Sequence, residues 1–183
     1  MEGLSRLTPG ETLQAYLRNG ENKATAPVCK TFLLGIFGGM VTAFGAALSN
    51  AGAHGFDNGS VIRIVSGLLF AFAIGSVIVL GGELFTGNAM LLAPVMDGRI
   101  RPWMMLRNLL CVYAGNFTGG MLIAIACASS GHFNMSGGKL AAYTVQVAAG
   151  KCGLSFTNAL VLGVLCNLLI CTGVLVSTAA SEV

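Results

Sequence analysis

Charge is scarce in this sequence. Asp, Glu, Lys and Arg together make up 9% of the 183 residues, whereas 55% are hydrophobic, and the mean hydropathy is +0.79. That balance excludes an ordinary soluble domain, in which about a quarter of the residues are charged. Four stretches, 31–48, 64–82, 108–130 and 152–180, contain no Asp, Glu, Lys or Arg. Each comes close to or exceeds the ~20 apolar residues with which a helix crosses a bilayer core. The expected fold class is an all-α integral membrane protein with four spans.

Other absences narrow the function. No apolar run lies within the first 30 positions, so a cleavable signal peptide is not expected. The six cysteines, Cys29, Cys111, Cys127, Cys152, Cys166 and Cys171, contain no Cys-x-x-Cys pair and lie mostly among apolar residues. They read as small buried hydrophobes, and no metal, cofactor or disulfide frame is expected. No basic run interleaves with aromatics, so nucleic acid is not an expected partner. A membrane-embedded enzyme built on Glu83 would lack a second histidine, aspartate or nucleophile–base pair at membrane depth, and the chain is not expected to be an enzyme.

The few charges that are present orient the chain. Arg6, Arg18, Lys23 and Lys30 precede the first span, and Arg99, Arg101 and Arg107 lie in the connector after the second. Basic residues near span ends are retained on the cytoplasmic side, which places the N-terminus inside and the two connectors rich in Gly, Ser and Asn outside. His54 and His132 fall in those outer connectors and read as surface residues. Before the first span, LTPGETLQAYL carries a Thr-x-x-Glu capping box at Thr8 and Glu11, with Pro9 in the first turn. It reads either as a helix lying on the cytoplasmic membrane surface or as a frayed tail. Gly35 and Gly39, and Gly115 and Gly119, form two G-x-x-x-G pairs that suit close helix packing in lipid. A weaker pattern lays 33–48 over 161–176 and hints at an internal repeat.

One segment interrupts the apolar pattern. Residues 80–91 read LGGELFTGNAML, placing a carboxylate at the end of an apolar run, where charge is expensive and usually functional. Gly81, Gly82 and Gly87 permit torsions closed to other residues, and Asn88 can bond backbone groups left free. The segment is expected either to unwind within the membrane and resume as helix at 89–95, lining a pore or binding site, or to be a surface turn that ends span two. Glu83 is expected mainly to accept backbone N–H bonds freed by the break.

GGELFTGNAML resembles the signature loop of the formate/nitrite transporter family, and the resemblance continues through VCKTFLLGIFGGM, RNLLCVYAGNFTGG and AGKCGLSFTNALVLGVLCNLLICTGV. It favours the broken helix. The resemblance implies a single transmembrane channel domain over 1–183, with 1–27 forming the cytoplasmic amphipathic helix and 28–183 supplying spans one to four of six. It further implies an aquaporin-like inverted repeat and a homopentamer in the inner (plasma) membrane, with a pore in each protomer. The transported solute would be a small monovalent anion such as formate, nitrite or hydrosulfide. Leu84 would sit at an apolar constriction, Phe85 in the same loop and Thr86 at the pore centre. Phe70 and Ile74 would line the path, Lys151 the outer vestibule, and Asn167 a pore-facing stretch of span four. Family members carry a pore histidine in a fifth span that has no counterpart here, so the chain reads as a piece of a longer protein. The alternative reading is a non-conducting scaffold or assembly subunit in which the loop serves packing.

Overall fold

The computed structural model describes residues 7–180; Arg6, counted above toward orientation, lies outside them. The first helix forms as its capping box dictates. Thr8 Oγ1 accepts from the Glu11 N–H at 3.4 Å, the Glu11 carboxylate accepts from the Thr8 N–H at 2.8 Å, and Pro9 occupies the first turn. Helix α1 (Pro9–Thr25) buries Thr12, Tyr16, Leu17, Gly20 and Ala24, which fall on one side of the helix. The helix reading of this segment therefore holds over the frayed tail.

Helices α2 (Val28–Ala53), α3 (Gly59–Leu80), α6 (Pro102–Ser129) and α8 (Phe156–Ala179) are each apolar and long enough to cross a membrane. Their 22–28 residues correspond to about 33–42 Å of helix. Local signals set their ends. Asn58 Oδ1 caps α3 by accepting from Ser60 N and Val61 N, Gly81 closes it in the left-handed conformation (φ +72°), and Pro102 opens α6.

Packing between α2 and α6 is the most extensive in the molecule, and it depends on the two glycine pairs. Gly35 lies against Val112 and Gly115, Gly39 against Asn116, and Gly119 against the Ile36 carbonyl and Met40 N, so the two helices run parallel with their backbones in contact. Helix α3 runs antiparallel to α2, with Ala73 against Gly45 and Leu69 against Gly52. The end of α8 returns to α1, where Leu7 N donates to Ala179 O at 3.3 Å. Across its membrane window α8 has no buried residue.

Two elements differ from expectation. After α3 the chain is irregular only from Gly81 to Leu84. It then re-enters helix at α4 (Phe85–Asn88), passes through a 3₁₀ turn at Ala89–Leu91, and continues as α5 (Leu92–Met96). Helix thus resumes four residues before the expected position. The second difference is α7 (Lys139–Cys152), which the sequence reading left unassigned and which precedes α8. It packs on the end of α2, where Asn50 Nδ2 donates to Thr144 Oγ1 at 3.3 Å. Span four begins at Phe156 rather than at 152 because Ser155 caps a new helix there, accepting from Asn158 N.

Candidate functional site

The break in the second span lies within the helical layer. Glu83 N donates to Leu34 O (3.1 Å) in α2, and Glu83 O accepts from Asn116 Nδ2 (2.8 Å), near the middle of α6. Backbone without regular structure at that depth requires protein partners, and Asn116 supplies several. Its Oδ1 also accepts from Phe85 N (3.0 Å), and Nδ2 also donates to Gly35 O (2.8 Å). Gly38 leaves room for the Glu83 carbonyl, which a Cβ there would strike. Asn88 N closes α4 by donating to Leu84 O at 2.8 Å.

A polar cluster braces the break from the α1 end. Glu83 is buried, and its Oε1 accepts from Lys23 Nζ at 2.8 Å. The same ammonium reaches Asn88 Oδ1 at 3.2 Å, Asn88 Nδ2 donates to Asn108 Oδ1 at 2.8 Å, and Asn108 Nδ2 donates to Lys23 O at 2.9 Å. Arg107 holds the end of α1 as well, donating to Ala24 O (2.7 Å) and Ala26 O (3.1 Å). These bonds correct two expectations. The Glu83 carboxylate binds the Lys23 ammonium rather than freed backbone N–H groups, and Asn88 binds side chains rather than backbone. The physical reason is that an ammonium and a second amide, both held by helices, offer the buried carboxylate and amide stronger partners than a loop whose Gly81, Gly82, Glu83 and Phe85 N–H groups already donate to α3, Leu34 and Asn116.

Two cavities meet at this loop. One, of about 430 Å³, opens on the α1 side and is lined by Lys23, Glu83, Asn88, Val77, Ser177 and others. The second, of about 400 Å³, lies beyond the break and is lined by Phe70, Phe85, Thr86, Asn116, Thr42 and Cys166 among others. Leu84, Ile74 and Ile170 line both. The arrangement therefore consists of a pocket with Lys23, Glu83 and Asn88 set in a mostly apolar wall, three aliphatic side chains shared by both cavities, and a largely apolar pocket with Thr42 and Thr86 at its wall.

The structure thus brings together five of the residues singled out from sequence: Phe70, Ile74, Leu84, Phe85 and Thr86. Two others lie outside that cavity. Asn167 lines a different cavity of about 570 Å³, with Phe85, Met105 and Leu109; its Nδ2 donates to Gly163 O at 2.8 Å while its buried Oδ1 has no partner among the described residues. Lys151 is exposed in the last turn of α7 and lines neither cavity at the loop, rather than standing at the start of span four. Gly81, Gly82 and Gly87 all lie on the first cavity's wall. Sequence reasoning missed Lys23, Asn108, Asn116 and Ile170. An asparagine in the middle of an apolar span was the available signal for Asn116, since amides at membrane depth must find partners. Among the described residues no group of three His, Cys, Asp or Glu side chains could hold a metal.

Known proteins are similar to this chain in sequence and in fold. A family model described as formate/nitrite transporter matches residues 10–183. The formate channel FocA of Haemophilus influenzae is 31% identical over 179 residues, covering 97% of this chain and 63% of that protein. A formate-nitrite transporter of Entamoeba histolytica is 30% identical over 179 residues, covering 96% of this chain and 50% of that one. A solved structure of a pentameric formate channel with formate bound superposes with a TM-score of 0.75 at 26% identity, covering 85% of this chain and 62% of that one. The chain therefore spans between half and just under two thirds of the length of these relatives.

Proposed function

The chain belongs to the formate/nitrite transporter family, and from that premise we propose that it forms the wall of a conduction path for a small monovalent anion of the formate, nitrite or hydrosulfide type, without covalent chemistry. The observation that carries the proposal is the broken second span, which sets Leu84 between two cavities and Thr86 on the wall of one of them. An ion crossing there must leave water for an apolar partition, and the cost of that step is what makes such a slit selective.

Each residue has a physical task in this reading. Leu84, Ile74 and Ile170 keep the two cavities from forming a continuous water column. Phe70 and Phe85 narrow the far cavity, and Thr86 offers its hydroxyl there to a partly dehydrated anion. Lys151, exposed near the far end of the bundle, raises the local anion concentration by Coulomb attraction. Gly81, Gly82, Gly87, Glu83 and Asn88 shape and brace the loop, and Asn167 presents its free carbonyl oxygen to the next element of the complete path.

By the distribution of basic residues, α1 and its Lys23 cluster face the cytoplasm, and by the family resemblance the membrane is the inner (plasma) membrane. By likeness to the pentameric formate channel, the complete protein assembles as a homopentamer with one path per protomer. The test is flux of formate, nitrite and hydrosulfide into proteoliposomes holding the natural full-length protein, and the same for its Lys151→Ala variant. Saturable, selective flux that weakens in the variant at low anion concentration is expected. No flux above empty liposomes, from folded and assembled protein, would overturn the reading.

A further inference from the structure

Asn116 grips the chain on both sides of one residue. Its Oδ1 accepts from the Phe85 N–H at 3.0 Å and its Nδ2 donates to the Glu83 carbonyl at 2.8 Å, so the two bonds flank Leu84. The second Nδ2 proton goes to Gly35 O at 2.8 Å, which ties the same amide to α2. All three bonds reach backbone groups, and Asn116 itself stands on α6, whose glycines hold it against α2. The amide is therefore fixed to two rigid helices and transmits their position to the loop. Leu84 is one of the three described residues that line both cavities, so the backbone held by Asn116 carries a side chain of the partition.

We propose that Asn116 is a specificity-determining positioning residue: by clamping the peptides on either side of Leu84, it fixes the width of the apolar partition and with it the size of anion that passes. This rests on the conduction reading above and extends it to a residue outside the loop. The primary amide suits the task because it offers one acceptor and two donors at this reach. Aspartate has the shape and keeps the acceptor for Phe85 N–H, but it loses both donors and sets a carboxylate against two carbonyls. Leucine fills the space without any of the three bonds. Alanine leaves the Glu83 carbonyl and the Phe85 N–H to water, and a loop solvated in that way no longer has one position.

The clamp predicts a change in discrimination rather than a uniform loss of activity. An apolar slit that rejects one additional methyl group does so by ~10-fold or more. Formate and acetate differ by that group. Flux of each is measured in proteoliposomes with the natural full-length protein and with its Asn116→Ala and Asn116→Leu variants, each shown to be assembled by size-exclusion chromatography. The expected result is a formate-to-acetate ratio that falls toward unity in both variants, with acetate flux rising. In a Leu84→Ala background, Asn116→Ala should alter the ratio no further, because the clamp acts through Leu84.

A leucine variant that keeps the natural ratio would show that Asn116 only fills space, and would overturn the proposal. So would an additive effect in the Leu84→Ala background. If alanine and leucine both fail to assemble, Asn116→Ser, which retains one donor and one acceptor, is measured instead. Failure of all three would assign Asn116 to folding alone and reject the clamp as a determinant of specificity. Absence of formate flux from the unsubstituted protein would instead be a failure of the conduction reading, so the two failures are distinct.

Discussion

Lys23 and Glu83 are 60 positions apart in sequence and 2.8 Å apart in space, with the ammonium of α1 set against the carboxylate of the broken span. The side chain of Glu83 is 10% exposed and that of Lys23 27%. Helix α1 is therefore an electrostatic support of the loop as well as a surface element.

Removing Lys23 alone should cost more than removing both partners. Lys23→Met leaves a buried carboxylate without its cation, a loss on the order of 3 kcal/mol. Glu83→Gln leaves the ammonium near water and still bonded to Asn88, and should cost less. The double variant should recover part of the Lys23→Met loss. Chemical unfolding in detergent micelles followed by circular dichroism measures all three, and a double variant as unstable as the sum of the singles would reject the coupling.

Adjacent glycines in α6 should behave in opposite ways. A Cβ at Gly119 would press into the Ile36 carbonyl and Met40 backbone of α2, whereas one at Gly120 meets nothing within 4 Å. Gly119→Ala should destabilise by about 1–3 kcal/mol as overpacking does. Gly120→Ala should leave the melting temperature unchanged. Equal effects at the two sites would show that α2 and α6 do not touch along this line.

Tyr16 gives α1 a dependence on alkaline pH. Burial, with the Cys171 sulfur of α8 beside it, pushes the phenol up to about 12. A folded-state pKa raised above the unfolded value near ~10 means that the unfolded chain loses its proton first. The stabilisation from docking neutral Tyr16 is thus complete below about pH 10 and is lost as pH rises from there toward 12. Absorbance at ~295 nm for the natural protein minus that for Tyr16→Phe should show a phenolate step near the upper end of this window. A step centred near 10 would mean that Tyr16 is not held in a buried site.

Ile170 tests the partition from the side of α8. It lines both cavities with Leu84 and Ile74, and truncating it opens a gap that fixed helices refill only in part. Ile170→Ala should raise osmotic water permeability of proteoliposomes in stopped-flow light scattering. Permeability equal to that of the natural protein would place the barrier elsewhere.

The class of molecule and the place of the break were legible in the amino-acid sequence. Four uncharged apolar runs required membrane-crossing helices, because only a helix satisfies its own backbone in lipid. The Thr8 and Glu11 pair started α1 and the glycines around Glu83 marked the break, because each acts through neighbours a few positions away; the paired glycines marked close helix packing without naming the helices that meet. Phe70, Ile74, Leu84, Phe85 and Thr86 could be named together only through the family resemblance, since nothing local links the two on α3 to the three in the loop.

Tertiary structure decided the partners. That Glu83 faces Lys23, that Asn116 holds the peptides around Leu84, and that Ile170 completes the partition depend on helices 30 to 90 positions apart meeting at one depth. Periodicity reports which face of a helix is apolar but not which neighbour it meets. The placement of Lys151 on α7, and of Asn167 in a separate cavity, followed likewise from a helix whose weak apolar pattern gave no signal and from the rotation of α8. Local chemistry wrote the break into the chain, and only packing determined what holds it open.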